Sequence, residues 1–421
     1  MFSSLRHRDY RLLWIGQAVS YLGDQFHLVA LPWLVLQLTH SPLQLGLVLA
    51  VAGVPRAAFM LLGGAWADRF SPRKIMLVSD TIRFMLTGFI AVATLGGFVR
   101  MWQLYALAAL FGIVSGVFLP AANASVPRLL GDEDLESGNA LMRIAESGAS
   151  FLGPAAAGLL IAAFSRGVIA GHNVTSLEGI GIAQAVDAAS FGVSALCVLF
   201  VHGLKALPAR PHTHPLHDIA EGLRYAWSRP LLRSMLLLIA IANMLVSGPL
   251  LVGLPVLSDR HLGGAAAYGI LMSVFAGGNL SGMVAASTLK RPGDRVLRTI
   301  AVSVFVCFGA AFCTMGYVRA TWQAVPLLIL TGLGNGYIAV IFVSQLQRMT
   351  PKAMLGRMMA LMLLCLIGLM PVSQAIAGAI VNTDLTQMFL VSGVGLLALS
   401  VFAIMRPELR HMTFEVESPD Q

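Results

Sequence analysis

Apolar runs of twenty residues and more, separated by short polar breaks, fill this chain from residue 10 to residue 405. A bilayer-crossing helix needs ~20 mostly apolar residues. Twelve stretches qualify: 10–38, 43–67, 75–98, 102–128, 137–164, 179–204, 231–257, 265–289, 296–318, 322–347, 354–381 and 384–405. Several exceed the minimum, which predicts tilt or extension beyond the bilayer. The longest interruption, 205–230, opens with "KALPARPHTHPLHD" and closes with "DIAEGLRYAWSRP". There Ile219, Leu223, Tyr225, Ala226 and Trp227 fall on one side of a short interfacial helix. The pattern predicts an all-α membrane protein. Residues 1–204 form one six-helix bundle, 205–230 a cytoplasmic linker with a short helix, 231–405 a second bundle and 406–421 a cytoplasmic tail.

The two bundles share a pattern. "LVALPWL" at 28–34 returns as "LVGLPVL" at 251–257, and the same offset separates Gly46 from Gly269. Farther on, "GIVSG" at 112–116 answers "GLGNG" at 332–336, "NALM" at 139–142 answers "MALM" at 359–362, and Gly158 answers Gly378. The order is kept over a long stretch, so we read two structurally similar halves.

Composition sharpens the class. Charged residues make up 11% of the chain and hydrophobic residues 57%, against about 25% charged in soluble proteins; mean hydropathy is +0.79. The net charge of +8 is explained by topology rather than by nucleic acid. Arg6, Arg8, Arg11, Arg69, Arg73 and Lys74, with most of the other basic residues, fall on one side. Only Arg100, Arg166, Arg260 and Arg319 fall on the other. By the positive-inside rule both termini are cytoplasmic. Cys197, Cys307, Cys313 and Cys365 lie inside apolar runs, without metal or disulfide spacing. The linker histidines His212, His214 and His217 have no supporting Cys or carboxylate cluster, so no metal site is expected. No nucleotide-binding loop, zinc helix or nucleophile elbow appears.

The loop after the second run reads "GGAWADRFSPRK". A carboxylate at a helix end, followed by three cations, can cap a facing helix and pair across the loop. The stretch resembles the signature loop of the major facilitator superfamily through Gly64, Ala67, Asp68, Arg69, Arg73 and Lys74; Trp66 and Ser71 depart from the pattern. In the fifth run, "GASFLGPAAAG" resembles that family's exporter motif through Gly148, Gly153, Pro154 and Gly158, with Leu159 where a further Gly is usual. Shorter stretches, "EGLRYAWSRPLLR" and "SDTIRF", resemble a bacterial branch of drug, macrolide and siderophore exporters. The resemblance implies two parallel repeats about an axis along the membrane normal. It also implies alternating access, a monomer and a place in the inner membrane among its lipids. Pro32 and Pro255, in equivalent helices that line the family's cavity, would be gating points.

Ionisable groups in hydrocarbon need partners or a wet cavity. Gln17, Tyr21, Asp24 and His27 form one helical stripe, with Asp24 ~20 Å deep at 1.5 Å per residue. Arg56 lies ~18 Å into the second run. Asn139, Arg143, Glu146 and Ser150 form a second stripe, in which Arg143 and Glu146 can also pair at i, i+3. We expect Asp24, Glu146 and Arg56 to couple protons. A carboxylate in a dry cavity keeps its proton, and water or an arriving cation releases it. Asp80 and Arg83 are expected to brace the signature loop; Asp187 has no assigned role. The second half has no mid-depth carboxylate, so Asn243, Tyr337, Phe342 and Gln345 would offer substrate apolar and amide contacts, beside Gln17, Tyr21 and His27. The expectation is a secondary transporter, not an enzyme. It would export a lipophilic drug-like, macrolide-like or siderophore-like molecule by proton antiport, with the proton gradient as energy source and no cofactor. The alternatives are a lysophospholipid or lipid flippase, a solute importer, or a non-transporting receptor or assembly protein on the same scaffold.

Overall fold

A computed structural model describes residues 3–69, 71–169, 172–175, 177–204, 215–289, 293–351 and 354–406. Side chains are excepted at 61–69, 166–169, 172–175, 215–219 and 294–295. The first six long helices are α1 (Arg8–Thr39), α2 (Pro42–Arg69), α3 (Pro72–Leu95), α4 (Met101–Leu129), α5 (Asp132–Phe164) and α6 (Glu178–Leu199). A short helix, α7 (Pro215–Trp227), precedes α8 (Pro230–Leu262), α9 (Ala265–Thr288), α10 (Asp294–Met315), α11 (Thr321–Met349), α12 (Leu355–Thr383) and α13 (Leu385–Met405). Among the described residues, eleven helices are long and apolar enough to cross a membrane. α1 is longer than most, but it carries Arg8, Asp9, Arg11 and Asp24 in its 32 residues, which lowers its apolar average. The hydrophobic pattern did not predict one feature: β1 (Arg166–Ile169) and β2 (His172–Thr175) pair antiparallel between α5 and α6.

The helices fall into two compact units. One holds residues up to 212 together with 254–273; the other holds 213–253 and the chain from 274 onward. Inside each, small residues set the closest approaches. On α4, a Cβ at Gly112 would strike the Ala52 carbonyl, and one at Gly116 the backbone at Arg56 and Met60 of α2. In the other unit, Gly332 and Gly336 of α11 meet the α9 backbone at Phe275, Asn279 and Met283 in the same way. "GIVSG" and "GLGNG" therefore do one job twice. Membrane helices associate largely through such packing, because lipid is as apolar as their own side chains. The start of each of these helices repeats too. Gln103 Oε1 accepts from Arg100 N at 2.7 Å, and Gln323 Oε1 from Ala320 N at 3.2 Å. The neighbouring Trp102 and Trp322 are 69% and 74% exposed, as interfacial anchors are.

The two proline heptads do not behave alike. α1 runs unbroken through Pro32, and Val29–Leu36 are buried. In α8 the helix widens to i→i+5 turns at Pro249–Gly253 and again at Ser258–Leu262, on either side of Pro255. Proline removes one N–H and crowds the preceding turn. Here a second proline, with Gly248 and Gly253, lowers the cost of local widening. α7 carries Glu221, paired with Arg357 of α12 at 2.7 Å. Its Ala226 is buried with Leu232, Leu236 and Met358, while Leu223 and Trp227 stay exposed.

Candidate functional site

In the first unit, glycines draw α1 onto α6. Gly16 lies against Ser194 and Cys197, and a Cβ at Gly23 would collide with the Ser190 side chain. That approach places the α1 stripe against polar residues of α6. Gln17 is 2% exposed, and Tyr21 and Asp24 are half-buried. His27 Nδ1 stands 3.3 Å from Asp187 Oδ2. That contact is within reach of a hydrogen bond but not aligned for one, and among the described residues no other donor is aligned on either Asp187 oxygen. The His27 ring stacks on Phe111 of α4 at 4.8 Å, tilted by 7°. Asp24 lies within electrostatic range of Arg83, Asp187, Arg56 and His27.

Asp80 and Arg83 of α3 form a second, drier pair. Asp80 Oδ1 accepts from Arg83 at 2.5 Å and Asp80 Oδ2 accepts from Ser194 Oγ at 2.7 Å. The two residues are 0% and 3% exposed. The guanidinium sits 3.8 Å from the Phe118 ring centre and 4.6 Å from that of Phe191. Two aromatic faces and one carboxylate thus hold a charge that hydrocarbon would otherwise reject.

The structure brings Asp24, His27, Arg56, Arg83 and Asp187 together. Glu146 stands elsewhere, paired with Arg143 at 2.9 Å on its own helix, the two side chains 47% and 77% exposed. Tyr21 is within range of both Asp24 and Glu146. Of the signature loop, the side chains at Gly64, Asp68 and Arg69 lie outside the described residues, as do the linker histidines and the tail from 407. Arg73 donates to the carbonyls of Val198 (3.3 Å) and Leu199 at the end of α6, a favourable place for a cation. Ser71 donates to the Leu204 carbonyl at 2.6 Å. Lys74 is exposed.

The glycines of the α5 motif act as packing surfaces. Gly153 lies against Gln25 and Leu22 of α1, and Gly158 meets Ala265 and Gly269 at the start of α9 backbone to backbone; Gly148 faces open space. Ser273 Oγ accepts from Ala155 N at 2.9 Å, next to Pro154.

The second unit contains a cavity of about 260 Å³ lined mainly by α8, α10, α11 and α12, including Asn243, Phe305, Asn335 and Phe342. A neighbouring crevice, much smaller at about 40 Å³, includes Tyr337, Phe342 and Gln345. Asn243 Nδ2 donates to the Leu366 carbonyl at 2.5 Å, where α12 widens at Leu364–Gly368. Its amide nitrogen is thus engaged, and Oδ1 is what it offers the cavity. Sequence reasoning missed the His27–Asp187 contact. The available signal was one buried-looking carboxylate in each of two apolar runs, but sequence alone does not say which helices touch.

Long apolar helices in two internally repeated units, with buried charges in one and a cavity in the other, define a multi-pass membrane transporter. The profile of the Major Facilitator Superfamily matches residues 13–370, and the chain belongs to that family. It is similar to the protein named enterobactin exporter EntS of Shigella boydii, 26% identical over 83% of this chain and 80% of that protein. The Escherichia coli O6:K15:H31 protein of the same name is 25% identical over the same shares. Among solved structures, a bacterial homologue of the iron transporter ferroportin in an inward-facing state superposes with a TM-score of 0.73 at 18% identity, covering 94% of this chain and 98% of that one. A POT family transporter in complex with 5-aminolevulinic acid gives 0.75 at 11% identity, covering 96% of each chain. At such identities these structures speak for the fold alone.

Proposed function

We propose that this protein exports a lipophilic small molecule, siderophore-like or drug-like, across the inner membrane in exchange for protons. The observation that carries this reading is the buried charge cluster around Asp24. Mid-membrane carboxylates and cations are costly and are kept where they do work. Export rather than uptake is supported by the α5 motif and by the exporters to which the chain is similar. Asp24 is the coupling carboxylate, with Arg56 as its counter-charge and Glu146 as an outer acceptor reached past Tyr21. The amide-edged apolar cavity, with Asn243, Tyr337, Phe342 and Gln345, holds cargo. The signature loop, from Gly64 through Asp68, Arg69, Arg73 and Lys74 and supported by Asp80 and Arg83, latches one conformation. The protein works as a monomer, both termini in the cytoplasm, and needs no cofactor beyond the proton gradient.

The test uses proteoliposomes with a pH-sensitive dye inside and an imposed proton gradient. Enterobactin, a macrolide and a lipophilic cation are added in turn. One of them should collapse the gradient with the parent protein, and Asp24→Asn should reduce that rate at least about tenfold, the size of effect that losing one well-placed charge contact produces. If labelled lipids or solutes cross while no compound moves protons, the flippase or facilitator reading replaces this one.

A further inference from the structure

The charges in the first unit do not balance. Asp24, Asp80 and Asp187 supply three carboxylates, and Arg56 and Arg83 two guanidiniums. The other titratable groups that face this interior are His27 and Tyr21 on α1 and the mutually paired Arg143 and Glu146 on α5. From α4, the rings of Phe111 and Phe118 meet His27 and Arg83. With both arginines charged and His27 neutral, one negative charge is left over in a place poor in water. Asp80 is satisfied by Arg83 and Ser194. Asp24 is half-buried and has Arg56 and Arg83 in range. Asp187 is 0% exposed and, among the described residues, neither of its carboxylate oxygens has a partner at hydrogen-bonding geometry; His27 Nδ1 stands 3.3 Å from one of them. A fully buried carboxylate without donors is not maintained as a bare charge.

We propose that the His27–Asp187 pair is a proton-binding site, holding the one proton that neutralises the cluster. His27 is the member with access, since its side chain is 17% exposed and that of Asp187 is 0% exposed. A proton taken from water makes the imidazole an imidazolium, whose Nδ1–H faces the Asp187 carboxylate. Its loss returns the cluster to one negative charge, and no other bond changes. Phe111, stacked on the ring at 4.8 Å, fixes its plane, so the imidazole keeps Nδ1 on Asp187. The role of this proton in transport rests on the antiport reading above; its binding does not.

The experiment follows ¹⁵N-histidine-labelled protein in lipid nanodiscs by NMR from about pH 5 to 9, the range in which imidazoles usually titrate. His27→Gln identifies the His27 signal by its disappearance. The parent His27 should change to imidazolium within that range. In Asp187→Asn it should stay neutral throughout, while in Asp24→Asn the change should move to lower pH, because the remaining two carboxylates and two guanidiniums already balance and the proton is then held by the Asp187 contact alone. A neutral His27 at every pH in the parent, or an unchanged titration in Asp187→Asn, overturns the proposal. If His27 titrates as expected while export ignores the proton gradient, this site stands and the antiport reading falls.

Discussion

At the scale of single residues, Arg83 is a tightly constrained buried charge. It lies between two rings, paired with Asp80, whose carboxylate also accepts from Ser194. Removing one member of a buried pair leaves the other uncompensated, at a cost of about 3–5 kcal/mol. Asp80→Ala should therefore lower the melting temperature of the purified protein sharply. Ser194→Ala, which removes one hydrogen bond and leaves the pair, should cost about 1–2 kcal/mol. Equal effects would mean that the ion pair contributes little to stability. The sequence made the residues of this region visible, because an ionisable side chain inside an apolar run stands out against its neighbours. It did not show their partners. The i, i+3 pairs Asp80–Arg83 and Arg143–Glu146 lie on single helices and can be read from spacing. His27–Asp187 joins α1 to α6, and no periodicity along either helix encodes that.

At the scale of elements, glycine placement decides which helices touch. Gly158 on α5 and Gly269 on α9 approach so closely that neither has room for a side chain. Gly269→Val should disrupt this contact by overpacking, at about 1–3 kcal/mol, and slow transport. Gly148→Ala, at a position that faces open space, should leave both stability and rate near those of the parent. Transport assays beside thermal melts would check this, and a silent Gly269→Val would show that the contact is not needed. The repeated glycine pairs on α4 and α11 were legible as a repeat, since each half must solve the same packing problem. The widened turns of α8 and α12 were not. Proline marks a place where a helix can yield, but Pro32 shows that it need not; what surrounds the proline decides.

At the scale of the whole molecule, the two related units have diverged in chemistry. The first keeps the buried titratable groups. In the second, among the described residues, carboxylates stand outside the spans or at their ends: Glu221 lies on α7, and Asp384 caps α13 through Thr386 N and Gln387 N. Its interior is apolar with a few amides. This division predicts separable defects. Phe342→Ala, in the second unit's cavity, should weaken cargo binding several-fold and leave the number of protons exchanged per cargo unchanged. Asp24→Asn should do the reverse. Cargo titrations and proton-to-cargo ratios in proteoliposomes would tell these apart, and a changed ratio in Phe342→Ala would contradict the division.

The most direct test of coupling is the rate of labelled-cargo movement in proteoliposomes of the parent and of Asp24→Asn, with a proton gradient imposed and with the same gradient collapsed by an ionophore. The account predicts that the gradient drives cargo against its own concentration difference in the parent, that the ionophore abolishes this, and that Asp24→Asn shows only downhill movement in both conditions. Uphill movement that survives the ionophore, or that persists in Asp24→Asn, would contradict it.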